Sequence, residues 1–275
     1  MGHHAMSADR RRDLGPPGRP AAGHAARAGF TLVEMLVVIA IIAMLTALVT
    51  PAVMNARRRA QIASIKLEID MLHKAIVNYK NEYGTFPPCN SGTAAGQPMV
   101  KHLQRLFPRC PDVPAHLAAV GAGAITPSNA LASWLLGFTN DPSRPLGPAE
   151  RLKLFDFDAG RFRGGAYAPA GLPGSPYVYL DSSSYATLAY TGETADELAV
   201  MGAHRVPATP PGDKPDSTVP NAWYFTTAGS GTNVFFNPDS FQILCAGLDG
   251  VFGTDDDMSN FWRGTRGDYL DSPEP

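Results

Sequence analysis

Residues Phe30–Val49 read FTLVEMLVVIAIIAMLTALV, and this stretch decides how the rest of the chain is organised. It carries one charge, on Glu34. A helix of this length is ~30 Å long, which matches the hydrocarbon core of a bilayer. A buried core helix and a signal peptide are the alternatives. A signal peptide has an apolar region of only ~7–15 residues followed by a small-residue cleavage site, and Thr50-Pro51-Ala52 offers no clear site. The segment therefore predicts a membrane helix that the mature chain retains.

The segment before this helix is a basic leader. Residues 1–29 hold five Arg and two Asp and contain no apolar run. Cleavage after Gly29 would remove the leader and leave the helix on the mature chain. Glu34 then needs a partner, because a carboxylate at a membrane helix centre costs ~2.5–3.5 kcal/mol on insertion scales. We expect that partner to be the freed α-amino group of Phe30 on a neighbouring copy.

The residues Gly29-Phe30-Thr31-Leu32-Val33-Glu34-Met35-Leu36 resemble the class III signal of type IV pilins and type II secretion pseudopilins. The resemblance implies that a prepilin peptidase cuts after Gly29 and methylates Phe30, and that Glu34 is the assembly carboxylate. It also implies an inner-membrane subunit with a cytoplasmic N-terminus and a periplasmic body. The charge pattern supports this orientation only weakly, since Arg57-Arg58-Arg59 follow the helix closely.

Residues 55–88 continue the helix in an amphipathic form after the assembly helix of residues 30–54. Apolar residues recur at alternating spacings of three and four, which predicts a helix with one face on a domain core. Pro51 is expected to kink or loosen the helix, and Gly84 with Pro87-Pro88 to end it. The stripe consists of Ile62, Ile65, Ile69, Leu72, Ile76, Tyr79 and Tyr83.

The remaining chain predicts an α+β, pilin-like fold in which the long helix packs on a small antiparallel sheet. Residues 89–176 form a variable insertion with short helices near Met99–Phe107 and Ala130–Phe138. Within it, Cys89 and Cys110 either form a disulfide, worth ~3 kcal/mol for a loop of this size, or remain two free thiols. Residues 177–275 supply the sheet. The strands are expected at Tyr177–Leu180, Ala186–Tyr190, Trp223–Thr227 and Phe241–Ala246, with a polar surface loop at Thr209–Pro220.

The charge balance and the lack of a catalytic motif argue against two classes of function. The net charge is −2 and the charged fraction is 17%, so nothing in the balance attracts nucleic acid in general. His102 and His116 each stand without a nucleophile in a recognisable motif, and no catalytic constellation is found. The sequence therefore predicts neither an enzyme nor a nucleic-acid-binding protein.

A cluster of carboxylates follows the last predicted strand. Asp249 and Asp255-Asp256-Asp257 lie within nine residues, with Gly250 and Gly253 between them. A hard cation would relieve their repulsion, and Ca²⁺ takes ~6–8 oxygen ligands. The spacing is not that of an EF-hand, and a solvated acidic turn is the alternative.

The same segment resembles the calcium loop of the major pseudopilin of type II secretion, with Asp249-Gly250, paired acids and Phe261-Trp262 beyond. The resemblance implies a structural calcium ion. The insertion departs from major pseudopilins, which are much shorter. The implied side-chain ligands are Asp249, Asp256 and Asp257, and the implied backbone or hydroxyl donors are Ala246, Val251 and Thr254.

These expectations together predict a structural subunit of a type II secretion pseudopilus. Its implied partners are further copies of itself, other pseudopilins, the prepilin peptidase and the inner-membrane assembly platform. One alternative is a type IV pilus subunit for adhesion or DNA uptake. Another is a membrane-tethered enzyme or binding module with residues 89–240 as its active part.

Overall fold

The computed structural model describes residues 31–185, 224–226, 233–252 and 254–271. Gly29 and Phe30, the predicted strand Ala186–Tyr190 and the predicted loop Thr209–Pro220 lie outside this range. The chain divides into two units, Met1–Val53 and Met54–Pro275, called the first and second unit here.

Helix α1 spans Leu32–Tyr83 and belongs to both units. Among the described residues it is long and apolar enough to cross a membrane. Every described residue of the first unit is exposed, although most of them are apolar. The helix continues through Pro51, which has no N–H to donate. One residue earlier, the Thr50 hydroxyl donates to the Thr46 carbonyl at 2.7 Å.

The predicted apolar stripe of α1 is the helix's core face in the second unit. Five of its members are buried, and Ile62 and Tyr83 at its ends are partly buried against the core. The helix ends where Gly84, with a φ of 82°, donates its N–H to the Lys80 carbonyl at 2.7 Å. A positive φ suits glycine at a helix C-terminus because a Cβ would strain that conformation. The buried members are Ile65, Ile69, Leu72, Ile76 and Tyr79.

The insertion is folded and contributes to the same core. Trp134 is buried, and its Nε1 donates to the Pro88 carbonyl at 2.9 Å, which ties the insertion to the chain just after α1. The helices are α2 (Pro98–Leu106), α3 (Val113–Ala119) and α4 (Ala130–Leu135). Two antiparallel pairs join β1 (Phe138–Thr139) to β2 (Arg151–Leu152) and β3 (Phe162–Arg163) to β4 (Ala166–Tyr167).

Small antiparallel sheets complete the α+β fold. The larger has three strands in the order β5 (Val178–Asp181), β8 (Phe241–Cys245) and β9 (Met258–Ser259). A hairpin pairs β6 (Tyr224–Thr226) with β7 (Asn233–Phe235), and α5 (Arg266–Asp271) follows β9.

Helix α1 contacts the three-stranded sheet directly. The His73 ring lies 4.9 Å from that of Phe241 on β8. Lys66 Nζ donates to the Ser259 carbonyl on β9 at 2.6 Å. The predicted α+β fold with a long helix on a small antiparallel sheet is confirmed.

Candidate functional site

The start of α1 is closed by a reciprocal pair of side chains. The Glu34 carboxylate accepts hydrogen bonds from the Thr31 N–H at 2.8 Å and from the Thr31 hydroxyl at 2.9 Å. In return, the Glu34 N–H donates to Thr31 Oγ1 at 3.2 Å. This is a capping box, in which a threonine before the helix and a glutamate three residues later satisfy each other's backbone donors. Its sequence signature, Thr31-x-x-Glu34, is present in the chain but is masked by the stronger apolar pattern around it.

Asp256 organises the C-terminal loop. The residue is 6% exposed, and one carboxylate oxygen accepts from the backbone N–H groups of Leu248 at 2.8 Å and Asp249 at 3.2 Å. The other oxygen accepts from the Thr254 hydroxyl at 2.7 Å. Burial raises the pKa of Asp256, but the hydrogen bonds from Thr254, Leu248 and Asp249 outweigh it and hold that pKa below its ordinary value.

The close approach behind this network requires a glycine. Gly247 has a φ of 64°, and a Cβ there would lie 2.4 Å from the Asp256 carbonyl oxygen. A side chain would therefore push Asp256 out of the loop.

The other predicted calcium ligands are spread around the loop. Asp249 is exposed and accepts the Val251 N–H at 2.8 Å, while Asp257 and Ala246 are buried. The Val251 carbonyl lies 3.2 Å from Thr254 Oγ1, whose single proton is donated to Asp256. Within the described residues, no three carboxylate, imidazole or thiol groups converge to hold a metal ion. In this arrangement the side chains do not fit a three-carboxylate cage, and calcium binding stays a prediction.

Cys89 and Cys110 are free, buried thiols, as is Cys245. The Cys89 thiol is packed into the core, and its pKa is raised chiefly by that burial. Of the two alternatives considered for Cys89 and Cys110, the structure has the free thiols and no disulfide.

A partly buried anchor, which no sequence pattern indicated, joins α1 to the insertion and to Tyr177 just after it. Glu68 accepts two hydrogen bonds from the Arg161 guanidinium at 2.7 and 2.5 Å. The same carboxylate accepts from the hydroxyls of Tyr167 at 3.1 Å and Tyr177 at 2.5 Å. This bidentate ion pair with two tyrosine donors fixes the insertion on the polar flank of the stripe.

His102, to which the sequence assigned no chemical role, is a buried residue of α2. It is 7% exposed, with Nε2 2.8 Å from the Tyr79 hydroxyl and Nδ1 3.1 Å from Arg105 Nη2. Burial first, and then the charge of Arg105, lower the pKa of His102 to about 4. Both ring nitrogens of His102 are therefore in contact with protein groups, the Tyr79 hydroxyl and the Arg105 guanidinium.

The long apolar N-terminal helix followed by small antiparallel sheets gives the chain a pilin-like fold. A family model described as the prokaryotic N-terminal methylation motif matches residues 24–50. The chain therefore carries a prepilin-type motif that includes the capping box.

Similar proteins are found on both sides of the pilin and pseudopilin division. The type IV major pilin protein PilE1 of Neisseria gonorrhoeae is 33% identical over 70 residues, which cover 26% of this chain and 42% of that protein. The type II secretion system core protein G of Pseudomonas aeruginosa is 35% identical over 69 residues, which cover 25% of this chain and 49% of that protein. The match spans less than half of the length of either relative. No solved structure matches this chain.

Proposed function

We propose that this chain is a structural subunit of a type II secretion pseudopilus. A prepilin peptidase removes residues 1–29 and methylates Phe30, and the subunit waits in the inner membrane with a periplasmic body. An assembly platform then extracts it into a periplasmic filament of this chain and other pseudopilins. The observation that carries the proposal is Glu34, a carboxylate in the first turn of an exposed apolar helix and the fifth residue counted from Phe30, inside a prepilin-type motif.

The physical reason lies in the cost of that carboxylate. Thr31 supplies two hydrogen bonds to Glu34 but no positive charge. A charged group costs ~2.5–3.5 kcal/mol at the centre of a membrane helix, and charged groups within the membrane are almost always paired. The freed amine of Phe30 on a neighbouring copy provides the cation, and this pairing sets the axial position of one subunit against the next.

The proposal is tested with a Glu34→Ala variant in cells that express the prepilin peptidase. We expect this variant to be cleaved after Gly29 and to remain in the membrane without entering filaments. Thr31→Ala is the matched control, because it breaks the capping box but keeps the carboxylate. Mass spectrometry of the N-terminus reports whether the leader has been cleaved, and the yield of sheared filaments reports assembly.

Two results would contradict the role given to Glu34. One is a wild-type filament yield from Glu34→Ala. The other is an equal loss of filaments from a correctly processed Thr31→Ala variant, because helix capping would then explain both defects.

The similarity to the gonococcal pilin favours a second candidate, a type IV pilus subunit. Deleting the gene in its host separates the two functions. A pseudopilin deletion abolishes export of secreted enzymes and leaves surface pili unchanged, whereas a pilin deletion removes the surface fibres and leaves export intact. Complementation with the wild-type gene is the control for each phenotype.

A further inference from the structure

The insertion forms a half-open cavity of about 370 Å³ at its surface. Its volume lies in the ~300–1,000 Å³ range of small-molecule sites. Residues of α2, α4, β2 and the β3–β4 hairpin line it, among them Met99, Ile125, Trp134, Leu146 and Phe162.

The cavity wall is apolar apart from two side chains, Ser133 and Arg151. The Ser133 hydroxyl donates to the Asn129 carbonyl at 2.9 Å, and Trp134 Nε1 donates to Pro88. Their donors are therefore used within the protein. This leaves the Arg151 guanidinium as the polar group that can meet a ligand.

Arg151 is partly exposed and donates from Nη2 to the Leu146 carbonyl at 3.0 Å. In the described part of the chain no carboxylate is paired with it. A guanidinium has five N–H donors, so several remain for a ligand. The pKa of the nearby His116 is lowered by burial and then by the charges of Arg144 and Arg151, which outweigh the opposing charge of Asp141.

An apolar cavity with an unneutralised guanidinium in its wall selects a particular ligand chemistry. Burying apolar atoms against such walls is favourable, because it removes apolar surface from water. A carboxylate forms a charge-assisted, often bidentate pair with arginine. A cationic head would be repelled, and a neutral head would forgo the ion pair.

We propose that this cavity binds a small anionic amphiphile, with its apolar chain against Trp134 and its carboxylate on Arg151. This site is independent of the filament function proposed above. Its occupant is a small molecule of the fatty-acid or aryl-carboxylate class rather than a segment of another protein.

The test uses the full chain in phosphatidylcholine nanodiscs, titrated calorimetrically with octanoate, octanamide and octylamine against empty nanodiscs. We expect octanoate to bind saturably at one equivalent and about tenfold or more tighter than octanamide, because hydrogen bonds to charged groups are the stronger ones. Octylamine is expected not to bind.

Three variants locate the site. Arg151→Met should lower octanoate affinity to that of octanamide, whereas Arg163→Met, the same change on an exposed arginine outside the cavity, should leave it unchanged. Ala132→Leu, which adds volume to the lining of α4, should weaken both ligands at least tenfold. Circular dichroism melting verifies that each variant is folded, and Arg151→Met tests the site even where Ala132→Leu disturbs the packing.

The absence of saturable octanoate binding above the empty nanodiscs would overturn the proposal. Equal affinities for octanoate and octanamide would overturn the role of Arg151. An equal loss in Arg151→Met and Arg163→Met would place the binding elsewhere on the chain and would likewise overturn the assignment.

Discussion

His102 makes the stability of the second unit depend on pH between 7 and 5. Arginine can only donate, so the contact with Arg105 requires His102 Nδ1 to accept, and Nε2–H then donates to the Tyr79 oxygen. If Nδ1 were protonated, its N–H would face the Arg105 N–H donor in a buried site, and neither group would have an acceptor there. The folded protein therefore resists protonation of His102, whose pKa falls from its ordinary 6.5 to about 4, through burial and then Arg105.

The sign and size of the effect follow from linkage. In the unfolded chain His102 takes up a proton near pH 6.5, whereas in the folded chain it does so only near pH 4. The stability that His102 contributes is thus fully present above pH 6.5 and is lost as the pH falls toward 4. At 1.36 kcal/mol per pH unit, the loss between pH 7 and pH 5 amounts to about 2 kcal/mol.

The assay is urea unfolding of residues 54–275, the second compact unit, followed by far-ultraviolet circular dichroism at pH 7 and pH 5. His102→Gln keeps an uncharged side chain with a hydrogen-bond acceptor but cannot bind the proton. We expect its unfolding free energy to fall by about 2 kcal/mol less than that of the wild type between these pH values. His116→Gln is the control and should retain most of the wild-type dependence, because His116 is more exposed than His102. If the wild type and His102→Gln lose equal stability, the reasoning is refuted.

Two further predictions concern carboxylates of the second unit. Glu68→Ala should lower the unfolding free energy by about 3 kcal/mol, because it leaves the Arg161 guanidinium without its carboxylate partner. Tyr177→Phe should lower it by only about 1 kcal/mol, because one hydrogen bond is lost. Equal losses of the two variants in urea unfolding would contradict the ion-pair account. Asp256→Asn should lower the melting temperature of residues 54–275 even in EDTA, because the Asp256 carboxylate accepts hydrogen bonds from Leu248, Asp249 and Thr254 without a metal ion. The same melts with millimolar Ca²⁺ test the calcium prediction. A rise in melting temperature with Ca²⁺ that Asp249→Asn abolishes would support it. No rise in the melting temperature of the wild type would contradict it.

Local patterns in the sequence carried much of the fold. The stripe from Ile62 to Tyr83 has the helical period, and the period alone identifies the face that becomes buried. The last long strand was predicted at Phe241–Ala246 and is found at Phe241–Cys245. Such elements are specified by neighbours a few residues away, and a sequence read along its length contains that information.

The Glu68 anchor depends on residues far along the chain, so local patterns could not reveal it. Its donors Arg161, Tyr167 and Tyr177 lie 93, 99 and 109 residues away. Along α1, Glu68 is simply another polar residue beside the apolar stripe. Its role arises only when the insertion folds back onto the helix.

The C-terminal loop shows a second limit of prediction from sequence. Clustered carboxylates were interpreted as mutual repulsion that needs a cation, a rule that counts charges but not backbone donors. Asp256 accepts hydrogen bonds from two backbone N–H groups and a hydroxyl, and these donors stabilise its charge whether or not a cation also binds. The sequence could not show those donors, because the turn that aims them exists only in the folded loop.

The capping box and the proposed intersubunit pair at Glu34 are compatible, and the geometry explains why. Both hydrogen bonds from Thr31 end on the same carboxylate oxygen, Oε2. Within the described residues no donor contacts Oε1. An incoming amine can therefore reach Oε1 while Thr31 keeps its two bonds, so assembly need not undo the start of the helix. The cap then limits the rotamers of Glu34 before the neighbour arrives, which lowers the entropy lost on pairing. On this reasoning Thr31→Ala slows filament growth without abolishing it, whereas loss of the carboxylate abolishes it.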